Sequence, residues 1–154
     1  MEQIKSFYAL RASWLSPDKF YKIYITQSEL CGALLAKQIF DEFSANSQLV
    51  APAQLLAPLA RIWANHLIRK RQEREKLYDE MTPGSPEFLK ENHHNFKIQK
   101  NEILDAYIDE KQRTLWTGSY RISGILHIRL INMKDMKYIL VGNQETKSIL
   151  AAIK

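Results

Sequence analysis

The densest run of chemically capable side chains is HLIRKRQEREKLYDEM, His66 to Met81, where His66, Arg69, Lys70, Arg71, Arg74 and Lys76 alternate with Glu73, Glu75, Asp79 and Glu80. Guanidinium groups at this density suit phosphate or carboxylate recognition. Helical spacing qualifies that chemistry. Arg69 and Glu73, Arg71 and Glu75, and Lys76 and Glu80 all stand four residues apart with opposite sign. Such pairs contribute about 0.2–0.5 kcal/mol each to an isolated helix and partly cancel its positive field. A solvated face is the plainest reading and a protein-contacting face the next. Nucleic-acid binding by the basic helix 66–81, with Arg69, Lys70, Arg71 and Arg74 on phosphates, is the alternative. A second grouping, Arg113, Trp116 and Arg121, joins an indole to two guanidiniums. It could anchor an apolar group and recognise an anion together, unless Trp116 is simply core.

Other titratable groups carry less. His93-His94 near Glu91 lacks any HExxH or paired-cysteine spacing, and neighbouring residues of an extended segment point apart. His66 reads as a core or boundary histidine and His127 as exposed or half-buried. Asp79-Glu80 and Asp109-Glu110 read as solvated charge at element ends. Gly118 and Gly124 match neither a phosphate-binding loop nor a dinucleotide fingerprint. No nucleophile elbow, metal set or cofactor motif stands out, so no catalytic residue, metal or cofactor is assigned. Enzymatic activity would need a constellation gathered from distant positions, and is the weaker alternative.

The chain of 154 residues is long enough for one domain with a proper core, expected over 1–154. Hydrophobic residues make up 45% and charged residues 25%, which excludes the disordered and collagenous classes. The net charge of +5 permits anionic partners, though it is spread along the chain. Cys31 is the sole cysteine, so no internal disulfide forms; its apolar surroundings read as a buried, inert thiol in a reducing compartment. The N-terminal residues lack a secretory pattern, and no apolar run approaches the roughly 20 residues of a membrane span. A soluble, cytoplasmic protein is expected.

The positioning elements follow from periodicity and punctuation. FYKIYIT, Phe20 to Thr26, alternates as a strand after the turn Ser16-Pro17-Asp18; Phe7, Tyr8, Leu10, Trp14 and Leu15 suit either its hairpin partner or a short helix. Glu29 to Phe43 fits a strand running into a helix. The main helix should open at Pro58 and stop at Thr82-Pro83-Gly84-Ser85-Pro86. Leu59, Ile62, Trp63, His66 and Leu67 predict its apolar stripe, resumed by Leu77, Tyr78 and Met81 after a polar gap. At roughly 35 Å it is long enough to project beyond the domain body. Glu87 to Asn92 reads as a helical turn or loop, and Asn95 to Ile98 and Glu102 to Asp109 as strands. After a turn at Thr114 to Gly118, Gly124 to Ile131 and Lys137 to Val141 form a hairpin. Asn143 is the expected N-cap of a last helix burying Ile149, Leu150 and Ile153.

The succession of the FYKIYIT strand, NFKI, EILDAYID, the WTG turn, the ILHIRLI and KYILVG hairpin and the NQETKSILAAIK helix resembles a bacterial pleckstrin-homology-like domain. The resemblance covers residues 19–43 and 95–154 and leaves 44–94 as a helical insertion. It implies an α+β fold in which a bent antiparallel sheet, or partly open barrel, is capped by the C-terminal helix. Such domains mostly bind phosphoinositides, peptides or proteins and are rarely enzymes. The expected function is therefore a non-enzymatic interaction module for a protein or peptide partner, with an anionic lipid headgroup as a further candidate. Arg69, Arg71, Arg74, Arg113, Trp116 and Arg121 are the expected contact residues.

Overall fold

Period-two alternation sends the side chains of each N-terminal strand to two different hydrophobic layers, and this double burial organises the molecule. The computed structural model describes residues 5–11, 18–37, 57–110 and 122–154. Among them, seven strands form one curled antiparallel half-barrel sheet: β1 (Lys5–Arg11), β2 (Lys19–Ile25), β3 (Glu29–Ala36), β4 (Phe96–Gln99), β5 (Ile103–Asp109), β6 (Ile122–Leu130) and β7 (Asp135–Val141). Their order is β4-β3-β2-β1-β7-β6-β5, so β4 and β5 are the two edges. Between β3 and β4 come α1 (Ala57–Glu80) and α2 (Pro86–Glu91); α3 (Thr146–Ile153) follows β7.

On the concave side Phe7, Ala9, Tyr21, Ile23, Leu30 and Leu34 of the first strands meet Leu126, Ile128, Tyr138 and Leu140, and α3 adds Ile149 and Ile153. On the opposite side Leu10, Phe20, Tyr24, Cys31, Ala33 and Leu35 pack against Tyr78 of α1 and Phe88 of α2. The Phe88 ring meets Tyr24 and Tyr78 edge-on, with centroids 6.0 and 5.3 Å away. Burial on both faces explains why ELCGALLA in β3 reads as a near-continuous apolar run. Gly32 makes room for Phe96, because a Cβ there would stand 2.1 Å from Cε1 of that ring, which crosses the glycine.

Two side chains do the work of backbone. β1 and β7 pair only at Ala9–Leu140 and Leu10–Ile139. Just beyond, the Gln144 amide donates to the carbonyls of Tyr8 and Val141, both at 2.6 Å, and its Oε1 accepts from Tyr8 N at 2.9 Å, so a side-chain amide continues the ladder. Asn95 plays the same part where β3 outruns β4. Its Oδ1 accepts from Leu34 N at 2.9 Å while its Nδ2 donates to Phe88 O at 2.7 Å and the Tyr78 hydroxyl at 3.0 Å, joining β3, α1 and α2.

Several boundaries shift from the sequence reading. Phe7, Tyr8 and Leu10 lie in a strand, paired with β2 from Lys5–Ile25 to Arg11–Lys19. The N-cap of α3 is Glu145, without a side-chain cap, because the chain needs residues 142–144 to close the seam before the helix begins. The expected helical continuation toward Phe43 and the turn at Thr114 to Gly118 lie outside the described residues. His93 and His94 occupy a turn, where their rings approach to 3.9 Å rather than pointing apart. No helix among the described residues is long and apolar enough to cross a membrane.

Candidate functional site

A lysine in the middle of a strand buried on both faces must find anionic partners or titrate to neutrality. Lys22 is that residue. It points to the same side as Phe20 and Tyr24, with Tyr8 and Ala33 as its direct neighbours across β1 and β3. Ala33 is small, so α1 can approach. Glu75 and Asp79, one turn apart on α1, close over it: Lys22 Nζ reaches Glu75 Oε1 at 2.9 Å and the Asp79 carboxylate at 2.7 and 3.0 Å. The Tyr24 hydroxyl donates to Asp79 Oδ1 at 2.6 Å, and the Tyr8 hydroxyl donates to Glu75. One ammonium and two phenols of the sheet thus hold two carboxylates of the helix.

The protonation states make this an anchor. Burial pulls the Lys22 pKa down, but the hydrogen bonds to Asp79 and Glu75 outweigh it and leave it above the ordinary lysine value. For Asp79 burial acts upward, yet bonds from Lys22 and Tyr24 carry the carboxyl below its usual range. Burial, then the bond to Glu75, pushes the Tyr8 phenol up to about 12. Lys22 therefore stays an ammonium and Tyr8 a phenol, so neither is poised as a base or nucleophile near neutral pH. The Cys31 thiol is likewise pushed up to about 12, first by burial and then by Glu29.

This polar layer fills the gap in the predicted apolar stripe of α1 and rotates the helix. The buried face is Ala64, Ile68 and Tyr78 with the polar residues between them, whereas Ile62 and Trp63 are 67% and 59% exposed and His66 faces solvent. Periodicity alone favours the side with more apolar residues; four ionic and phenolic contacts to the sheet favour the other. From Arg71 to Asp79 the helix accordingly lies on the sheet. Of the predicted contact residues, Arg71 places its guanidinium 5.6 Å from the Phe20 ring centroid, and Arg74 Nη1 donates to the Leu35 carbonyl at 2.9 Å. Both are engaged with the sheet. Arg69 remains on the outer face, 4.0 Å from Glu73, while Glu75 turns inward to Lys22 and Tyr8. Arg113, Trp116 and Arg121 lie outside the described residues.

Lys22, Tyr8 and Tyr24 escaped the sequence reading, although a lysine centred in FYKIYI is a signal that the second face of the strand is covered by acid. So did the β5 edge. There a bulge between Ile103 and Asp105 throws Leu104 outward, 59% exposed. Glu102 O accepts from Ile131 N at 2.8 Å, bringing Ile131 (61% exposed) beside it, and the β6–β7 turn adds Met133 (72%) with a positive φ of 64°. Further along β5, Tyr107 stacks on His127 with centroids 4.6 Å apart and planes at 4°. Asp105, Arg129, Asp135 and Lys137 complete a depression of about 220 Å³ around that stack. Its Arg129 is bonded to Asp135 at 3.1 Å. Burial, then Lys137, holds His127 below the ordinary histidine value, which favours neutral imidazole at physiological pH.

No metal-ligating group of three or more His, Cys, Asp or Glu occurs among the described residues. Comparison with protein-family models, curated proteins and solved structures finds no match to the chain.

Proposed function

We propose that the chain is a non-enzymatic interaction module of pleckstrin-homology-like architecture whose β5 edge receives a protein or peptide partner in extended form. The observation that supports this is the edge itself: a seven-residue strand with one flank paired to β6, flanked by Leu104, Ile131 and Met133 in the open. Edge strands invite pairing with another chain, and proteins usually blunt them with lysine, proline or a cover. β5 carries neither of the first two, and exposed apolar side chains beside a flank that no other described strand pairs suit addition of a strand. The strand order and the C-terminal helix on the concave core fit the architecture. The polar groups beneath α1 support the non-enzymatic part of the reading, since they are spent on docking the helix.

A displayed library of random peptides, selected on the immobilised chain, tests the proposal. Selected peptides should lose binding to a Leu104→Asp, Ile131→Asp variant that retains the wild-type melting curve. Peptides that bind both proteins equally would remove the edge as the site.

A further inference from the structure

Two stretches of the described surface carry exposed charge of opposite sign. From Ala57 to Gln72, α1 contains no Asp or Glu, and its outer face carries Lys70 and Arg69, the latter 4.0 Å from the exposed Glu73, beside exposed Ile62 and Trp63. The positive end of the helix dipole lies at the same end of α1, with no acid in the first turn to offset it. From Glu102 to Glu110 the reverse holds: four acids, no Lys or Arg, and exposed Leu104 and Tyr107. On this strand Asp105 is exposed; Glu102 accepts from Gln99 N and Glu110 from Thr146, which fixes their carboxylates without neutralising them. Arg129, the cross-strand partner of Asp105, is bonded to Asp135, and Lys137 stands two strands away on β7, so the surplus of acid lies along β5 itself.

We infer that these surfaces are complementary halves of one self-association contact, in which the outer face of α1 from one copy lies on the β5 edge of a second. The inference rests on the β5 reading and names the occupant of that edge as another copy of the chain. A chain cannot satisfy the contact itself, because Arg71, Glu75 and Tyr78 turn the other face of α1 onto its own sheet. Basic and acidic patches that each carry apolar anchors attract, orient and then bury. The contact is head-to-tail, so it propagates into rings or open chains instead of stopping at a two-fold dimer.

Sedimentation velocity of the full chain over a concentration series, at low salt and at about 0.5 M salt where exposed charges are screened, tests it. The average mass should rise with concentration at low salt and fall back toward monomer at high salt. Arg69→Glu, Lys70→Glu and, separately, Asp105→Lys should each be monomeric, and mixing the two variants should restore association, because each now complements the other. A monomeric wild type under all conditions overturns the inference, as does failure of the mixture to associate. Retention of a monomeric wild type on phosphatidylglycerol vesicles through Arg69 and Lys70 would likewise overturn it, assigning the helix face to an anionic surface. If the wild type is monomeric while Leu104→Asp, Ile131→Asp abolishes peptide binding, the β5 reading stands and only the second copy falls.

Discussion

Replacing Lys22 with Met removes the ammonium that joins α1 to the sheet while preserving most of the volume of the side chain. Glu75 and Asp79 would then sit over the sheet with only the Tyr8 and Tyr24 hydroxyls to meet their charge. Breaking a fully buried ion pair by removing one partner costs about 3–5 kcal/mol. Here the Lys22 side chain is 10% exposed, but Glu75 is 22% and Asp79 44% exposed, so water resolvates the acids and the cost falls to about 2 kcal/mol. For a domain of this length that corresponds to roughly 4–8 °C in Tm. Urea denaturation followed by circular dichroism at 222 nm, with Arg69→Ala as the reference, measures it. Arg69 and Glu73 are each 70% exposed at 4.0 Å, so that variant should change stability by under about 0.5 kcal/mol. Equal small effects of the two substitutions would refute the assignment of Lys22, Glu75 and Asp79 as the anchor of α1.

The same anchor predicts an acid limb. The Asp79 pKa is depressed in the folded state below its ordinary 3.8, so its contribution is fully present above 3.8 and is lost as pH falls through the folded value; wild-type stability should fall below about pH 4 more steeply than that of Lys22→Met, as read from urea midpoints. Asn95→Ala strands Leu34 N and Phe88 O, and should cost about 2–3 kcal/mol by chemical denaturation. Gly32→Ala drives a methyl into the Phe96 ring, which packs between Tyr21 and Tyr138 at 5.4 and 6.0 Å, and should cost about 1–3 kcal/mol on the same assay. Cys31, with its thiol held up to about 12, should react with a disulfide reagent at pH 8 only at the rate of unfolding; rapid labelling of the native chain would contradict its burial.

Elements with a clean period were legible. FYKIYIT, EILDAYID and the ILHIRLI–KYILV hairpin fall within one or two residues of β2, β5, β6 and β7, and the proline-bounded helix spans Ala57–Glu80 where 58–81 was expected. Orientation was less legible where burial is polar. The stripe of Ile62, Trp63 and His66 predicted the wrong face of α1, because its true contact surface is built from Arg71, Arg74, Glu75 and Asp79, residues that count as solvent-facing in any apolar pattern. Their partners, Lys22 and two tyrosines, lie more than fifty residues away in the chain. The cap of α3 failed for a related reason: Asn143 is a good local cap, but the seam between β1 and β7 recruits the following Gln144 and delays the helix. Leu104 became visible as an edge residue only through a bulge, a feature of pairing and not of local sequence.

The docked helix also divides the sheet into a part it covers and a part that neither α1 nor α2 covers. α1 and α2 cover the outer face of β1, β2 and β3, and their cover extends to Ile139 and Val141 of β7. β5 and the outer face of β6 lie past that cover, at the far end of the strand order. If Lys22 loses its carboxylates, α1 is held less tightly to the sheet while β5, paired to β6 and backed by α3, keeps its own support. Binding at the β5 edge alone should therefore survive Lys22→Met at temperatures below its melting transition. Self-association, which needs α1 held with Arg69 and Lys70 outward, should weaken in the same variant. A sedimentation series and a peptide titration on one preparation of Lys22→Met separate the two; parallel loss of both would show that the edge depends on the helix, contrary to the layered construction.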